Sequence, residues 1–509
     1  MTTASDPLHV RQQTSDKQIA IGGQQISFVR LRTRLLSRRL PGQVPPAGEI
    51  SMARSASPQP PMDRRTRLLT APIWPTLTRM AVPGIAAMAI QSSMSIVETW
   101  YLGRAGTVEL AGVALVFPIL MLANMLSGGA VGGAISGATA NALGANDQPR
   151  AEMILRSSVI LALGCGITMA VLFLIFGEAF YRFLGGQGAV LQAALTYSNL
   201  LMPGLLLIWL TNMSAGVLRG GGDMLRPAIV QTITAVTHFA LCWILIEQQG
   251  LGMAGAALAM DGGYAVGLLS LWVMILSGRS HVLFRWGPVS RALMVPLLRV
   301  GGLAGFQAIM TVVTALTITG LVGRLGPAWL AGYGIGARLE FLMIPIIFGI
   351  GSALIAMVGT NAGAGQRDRA IGIAWRGAFA AGVIVGSIGL FNAAFPTAWA
   401  GLFTTDPAVQ AATAAYMGTV APCYVFFGFG LALYFACQAM QTLAAPVFGS
   451  LTRLGIVMIG GLSLFATDTV DPAVLFGLVG TAMTAYGLIV ASALRFRSWR
   501  PALASSSLT

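Results

Sequence analysis

The chain has 509 residues, of which 55% are hydrophobic and 9% charged, against about 25% charged in soluble domains, and its mean hydropathy is +0.75. So little charge cannot cover the water-facing surface of three or four soluble domains, which excludes a soluble enzyme, a fibre and a disordered chain and makes lipid the solvent. The formal net charge of +14 is not a nucleic-acid footprint, because the arginines gather at the ends of apolar runs and in the N-terminal tail.

In chain order, residues 1–70 read as a disordered basic tail, with Arg32, Arg34, Arg38, Arg39, Arg64, Arg65 and Arg67 and a patch of Pro58, Pro60 and Pro61. It lacks the apolar core and cleavage site of a signal peptide. Met62, followed by Asp63-Arg64-Arg65, also has the form of a start. Twelve apolar runs follow, each near the roughly 20 residues that cross a bilayer core. They cover 77–102, 110–137, 153–177, 192–214, 228–247, 252–277, 293–322, 329–358, 372–396, 411–437, 444–466 and 472–494. Residues 496–509 form a short tail. The fold class is therefore all-α, a polytopic membrane protein.

Arginine placement orients the chain. With a cytoplasmic N-terminus, the inner loops receive Arg150, Arg156, Arg219, Arg226, Arg279, Arg285, Arg291, Arg299, Arg367, Arg369 and Arg376, then Arg453, read as lying near a helix end, and Arg495, Arg497 and Arg500. The outer loops receive only Arg104, Arg182 and Arg324, so both termini are expected inside.

The sequence repeats itself. Gly103-Arg104-x-Gly106 with Leu110-Ala111-Gly112 recurs as Gly323-Arg324-x-Gly326 with Leu330-Ala331-Gly332, and Asn141 to Arg150-Ala151 recurs as Asn361 to Arg369-Ala370. Tyr197, Pro203 and Pro227 fall opposite Tyr416, Pro422 and Pro446. One offset of about 220 residues over six helices makes the repeat parallel, with its axis along the membrane normal. The expected domains are a six-helix lobe over 75–280 and another over 281–495.

Several chemistries are excluded. The single lysine, Lys17, leaves no P-loop, so the run Gly128, Gly129, Gly132, Gly133, Gly137 reads as a helix-packing face rather than a phosphate cradle. His9, His238 and His281 are too scattered for a zinc site. Cys165, Cys242, Cys423 and Cys437 lie in or beside apolar segments with no CxxC pair and read as buried thiols. No cofactor is expected.

Three carboxylates lie inside spans, Glu98, Asp261 and Glu340, and a charged, unpaired acid at a helix centre costs about 2.5–3.5 kcal/mol. Glu98 continues a polar face with Gln91 and Ser95 and is the expected proton carrier; the alternative is an acid tolerated near the outer interface. His238, sharing a face with Thr234 and Cys242, is either a second titrating group or a packed neutral imidazole. Asp261, beside Gly262 and Gly263, reads more readily as a helix-packing hydrogen bond than as a cavity acid. Glu340, about 12 residues into its helix, either receives a cationic substrate or pairs with a basic group. Gln307, Thr311 and Thr314 line a cavity or bond across helices. Of the rings Tyr424, Phe426, Phe427, Phe429, Tyr434 and Phe435, some can hold a cation by cation–π contact, Tyr424 among them, while most pack.

Residues 75–495 resemble the multidrug and toxic compound extrusion (MATE) transporters. The resemblance rests on Val97-Glu98-Thr99-x-x-Leu102-Gly103-x-x-Gly106, Gly144-Ala145-Asn146 with Arg150-Ala151, Leu218-Arg219-Gly220-x-Gly222-Asp223 with Pro227, and Gly363-Ala364-Gly365-Gln366. It implies two six-helix lobes flanking a cavity that opens alternately to either side, and export of amphipathic, often cationic compounds in exchange for protons or sodium. The chain departs from the family where His238 and Cys242 stand for an Asn and an Asp, where Thr311 stands for a glutamate, and in a tenth helix without an acid. Cys242 and His238 are soft ligands for a hard ion, so the expected coupling ion is the proton.

The expected function is a secondary antiporter for amphipathic, cationic small molecules, a monomer in the inner membrane with no nucleic-acid partner. The alternatives are a flippase for a lipid-linked or polysaccharide precursor, disfavoured by the scarcity of basic residues deep in the spans, and a membrane-embedded enzyme, for which no clustered catalytic constellation is present.

Overall fold

The computed structural model describes residues 63–280, 282–466 and 471–496. The second of the chain's two units, Met62–Thr509, holds every described element. Described residues form helices and connections, with no strand among them. A short helix, α1 (Arg64–Thr70), precedes twelve helices long and apolar enough to cross a membrane. These are α2 (Ile73–Ala105), α3 (Thr107–Gly144), α4 (Gln148–Phe183), α5 (Gly188–Gly220), α6 (Leu225–Gln248) and α7 (Gly252–Gly278), then α8 (Arg291–Gly323), α9 (Pro327–Gly363), α10 (Arg367–Ala394), α11 (Pro407–Ala439), α12 (Ala444–Phe465) and α13 (Pro472–Phe496).

Many helices outrun the apolar segments that announce them, because hydropathy marks the part in lipid while capping residues set where the helix ends. Helix α4 starts at Gln148, five residues before its apolar run, with the Asp147 carboxylate accepting from Arg150 N at 3.0 Å. Helix α9 opens on Pro327, whose fixed φ suits a first turn. The glycine run 128–137 is helical, as its spacing requires, and a Cβ on Gly137 would stand 2.9 Å from the Gln438 carbonyl oxygen.

Helix α1 corrects the boundary of the basic tail, which was read as disordered to residue 70. Leu68 of α1 is 5% exposed and belongs to the apolar core; a seven-residue segment with so few apolar positions has no composition signal of its own and is stabilised by what it docks on. Residues 1–62 and the C-terminal segment from 497 lie outside the described residues.

Buried apolar residues form two cores, one built mainly from α2–α7 and one from α8–α13. Helix α2 serves both. Ile73, Leu77, Met80 and Ala81 belong to the second core, and Met94 and Leu102 to the first, with Pro83 between them. The linker between lobes lies along the first: Arg285 Nε stands 3.6 Å from Glu152 Oε2, and Arg156 Nη1 donates to the Arg285 carbonyl at 2.8 Å.

The lobes meet at the end bearing turns 145–147 and 364–366. Asn141 Nδ2 donates to the Ala439 carbonyl at 2.7 Å, and Gln438 Nε2 to the carbonyls of Gly129 at 2.8 Å and Ala130 at 3.0 Å. Helix α1 straps across the same end. Arg65 Nη2 donates to Gly144 O at 2.8 Å and Arg64 pairs with Asp223 at 3.1 Å on the first lobe, while Asn361 Nδ2 of the second donates to Leu68 O at 3.0 Å.

Candidate functional site

In the first lobe, Glu98 of α2 is 3% exposed, and its carboxylate accepts from the Tyr197 hydroxyl of α5 at 2.6 Å. Among the described residues no arginine lies within ion-pair distance of it. Cys242 of α6 and Asp261 of α7 are close enough to act electrostatically on this pair. The expected wet face of α2 therefore turns inward: Gln91 Nε2 donates to Asn124 Oδ1 at 2.7 Å, Ser95 is half-buried, and Glu98 is enclosed.

A second polar group sits two turns along, where α3 widens into a π-helical stretch, Met125–Val131. Asn212 Nδ2 of α5 donates to Ser127 Oγ at 2.9 Å. The widened turn offers backbone and side-chain groups that a regular α-helix would not.

His238, Thr234 and Cys242 are all buried, on the face of α6 that packs against α7. The Cys242 thiol is 3.5 Å from His238 Nε2, and a Cβ on Gly263 would stand 3.0 Å from His238 Cβ. The imidazole is thus closely packed against α7. Among the described residues Asp261 finds no partner for the helix-packing hydrogen bond expected of it. Its Oδ1 is buried without a hydrogen-bond partner, pressed against the bare backbone of Gly204, where a Cβ would fall 1.7 Å away.

In the second lobe, Glu340 of α9 is half-buried and its Oε1 accepts from both the Tyr416 and Tyr424 hydroxyls of α11, the latter at 3.1 Å. Gln307 Nε2 donates to the Tyr486 hydroxyl at 3.1 Å, whereas Thr311 and Thr314 donate to carbonyls one turn back on their own helix. Hence Gln307 bonds across helices and the two threonines do not.

Arg453 requires a correction. Assigned to an inner loop for orientation, it is the tenth residue of the 22-residue α12 and 7% exposed. Its guanidinium carbon stands 5.1 Å over the Phe427 ring, so the cation–π contact anticipated in the aromatic stretch is made by the protein's own arginine. The spans are thus not free of buried base.

Sequence reading also missed Asn124, Ser127 and Asn212, for which small polar residues in apolar runs give no individual signal. For Tyr197 and Tyr416 a signal existed. They are repeat mates, and each donates to a carboxylate inside a span, yet the acids come from different helices of their lobes: the repeat places Ile318 opposite Glu98.

Twelve membrane-crossing helices in two repeated sets, each enclosing a carboxylate held by tyrosine, define a polytopic protein of the kind that carries solutes. The MatE family model matches residues 83–244 and again 304–462, and the chain belongs to that family. Its members are secondary transporters, not enzymes; they bind small-molecule substrates and couple to cations. A "FAD transporter" of Shewanella oneidensis is 26% identical over 409 residues, covering 78% of this chain and 89% of the relative. A "Probable multidrug resistance protein NorM" of Thermotoga maritima is 24% identical, covering 65% and 73%. Among solved structures, a MATE crystal structure in the bent conformation superposes with a TM-score of 0.77 at 22% identity, covering 86% of this chain and 99% of that one. The outward-facing structure of a multidrug resistance MATE transporter gives 0.79 at 21% identity, covering 86% and 98%. At that identity the likeness is one of fold.

Proposed function

We propose that the protein is a proton-coupled antiporter that exports amphipathic, cationic small molecules across the inner membrane by alternating access, as a monomer with both termini cytoplasmic. The observation that carries the reading is the Glu98–Tyr197 pair. A buried carboxyl, bonded to a neutral hydroxyl and lacking a cationic partner among the described residues, is a group that can take up and release a proton as the lobe opens and closes. Soft neighbours, Cys242 and His238, favour a proton over sodium at this place. The closed, arginine-rich end with its α1 strap is then the cytoplasmic one.

The experiment is ethidium flux in proteoliposomes, collapsing the pH gradient and the sodium gradient separately. Flux stops with the proton gradient and persists without sodium, and Glu98→Gln abolishes exchange while leaving insertion intact. Sodium-driven flux, or wild-type pH-dependent flux in Glu98→Gln, would overturn the assignment. The name of the Shewanella relative supports a second reading, an anionic cargo, and the observation that favours it is Arg453 at mid-span; FAD loaded in the same vesicles tests it.

A further inference from the structure

The two seams that flank the closed end are repeat mates, yet they are not built alike. The repeat sets Asn141 opposite Asn361, Arg219 opposite Gln438 and Gly220 opposite Ala439; the turn residues Gly222 and Gln441, also opposite each other, share a positive φ, 75° and 58°. On one side α11 is bonded directly to α3. Asn141 Nδ2 donates to the Ala439 carbonyl at 2.7 Å, and the buried Gln438 amide donates to the carbonyls of Gly129 and Ala130 at 2.8 and 3.0 Å. On the other side neither contact has a counterpart. Asn361 keeps the local bond of its mate, to Met357 O at 2.7 Å as Asn141 bonds Gly137 O at 2.8 Å, but its second bond goes to Leu68 O of α1 at 3.0 Å rather than to α5. Arg219 turns back along its own helix to Asn212 O at 3.2 Å. Among the described residues no hydrogen bond or ion pair joins α5 to α9.

Helix α1 stands where the missing contacts would be. Leu68 lies against the turn after α5, where a Cβ on Gly222 would be 3.0 Å from its Cδ1. Arg64 pairs with Asp223 of that turn at 3.1 Å and Arg65 donates to Gly144 O at 2.8 Å, while from the second lobe Asn361 and Arg369 donate to the carbonyls of Leu68 and Ala71. Beside it lies a cavity of about 190 Å³, lined among others by Arg64, Arg65 and Leu68 of α1, Gly220 and Gly221 at the end of α5, and Thr360 of α9. The α3–α11 seam has backbone in close approach instead: a Cβ on Gly137 would stand 2.9 Å from Gln438 O and 3.1 Å from Ala439 Cα. A seam bonded helix to helix cannot part without stripping its own amides of their partners. One bridged by a third element parts when that element lets go of either lobe, and each lobe keeps its internal bonds. A seven-residue helix has too few hydrogen bonds to persist alone, so the hold of α1 is set by these contacts.

We propose that the α5–α9 seam is the gate of the closed end, barred by α1, and that the α3–α11 seam is the hinge about which it opens. The central α3–α9 contact lies between the two and parts by an intermediate amount. This rests on the reading that the lobes work by alternating access, and it names the side on which a solute passes the closed end.

Spin labels on two repeat-related pairs of turns test it: 220–222 with 364–366 across the gate, and 440–442 with 145–147 across the hinge. Distances are read by double electron–electron resonance on the purified full chain in nanodiscs. With Arg64→Gln and Arg65→Gln combined, the open population of the gate pair rises about tenfold, as loss of one charge-assisted contact gives, and the hinge pair does not change. An equal shift at both pairs, a shift at the hinge pair alone, or none at either would overturn the proposal. Cross-linking with α1 unaltered decides it even if that variant fails to fold. A short bismaleimide between cysteines on the gate turns stops ethidium flux, and the same link between the hinge turns leaves it; flux that survives the gate link, or stops at the hinge link, would equally overturn it. The two readings fail separately, because the label distances need no transport. A wild type without proton-driven ethidium flux removes the proton-coupled exporter while the distances still decide the gate; proton-driven flux with both pairs moving alike removes the gate alone.

Discussion

Alanine at Gly144 or Gly363 should open the closed end of the protein. These glycines are repeat mates at the ends of α3 and α9, and each faces the other helix's backbone. A Cβ on Gly144 would fall 2.2 Å from the Thr360 carbonyl oxygen and 2.9 Å from Thr360 Cα; a Cβ on Gly363 would fall 2.1 Å from the Asn141 carbonyl oxygen. Backbone cannot rotate away as a side-chain tip can, so ordinary van der Waals contact requires the helices to separate by about 1 Å. Overpacking of this kind costs about 1–3 kcal/mol, which biases a two-state equilibrium about 5- to 150-fold. The gain in helix propensity from Gly to Ala, about 0.5–1 kcal/mol, applies to both states and does not bias them. The assay is double electron–electron resonance between spin labels on turns 145–147 and 364–366. In the alanine variants the distance distribution shifts to longer values, most in the double variant. A distribution identical to that of the glycine protein would refute the claim that these contacts hold the end shut.

Tyr197→Phe leaves Glu98 buried without its hydrogen bond, a loss of about 1–3 kcal/mol, and shows as a lower melting temperature in detergent together with an altered pH profile of exchange, read by vesicle flux. Arg65→Gln removes the charge that Gly144 and Leu143 carbonyls accept from at the closed end, so the same label pair reports a larger open fraction while ligand-independent stability of each lobe is kept, as followed by hydrogen exchange. A reporter fused to the C-terminus is active only in the cytoplasm; activity outside would reverse the proposed orientation.

What the sequence determined by itself was everything that depends on the solvent and on length. Twelve spans follow from apolar runs matched to a bilayer, and the two-set architecture from residues repeated at one offset, since both are local or periodic properties that need no partner to be read. Glu98 and Glu340 were legible for the same reason: an acid in an apolar run is costly wherever it faces. What faces what was decided only by tertiary structure. Tyr197 reaches Glu98 across 99 residues and Tyr416 reaches Glu340 across 76, and such meetings depend on the rotation of each helix about its axis, which packing sets and composition does not. The same holds for Arg453, read from sequence as lying near a helix end and found enclosed beside Phe427 at the tenth position of α12, and for α1, whose few apolar residues acquire a structure from the lobes they join.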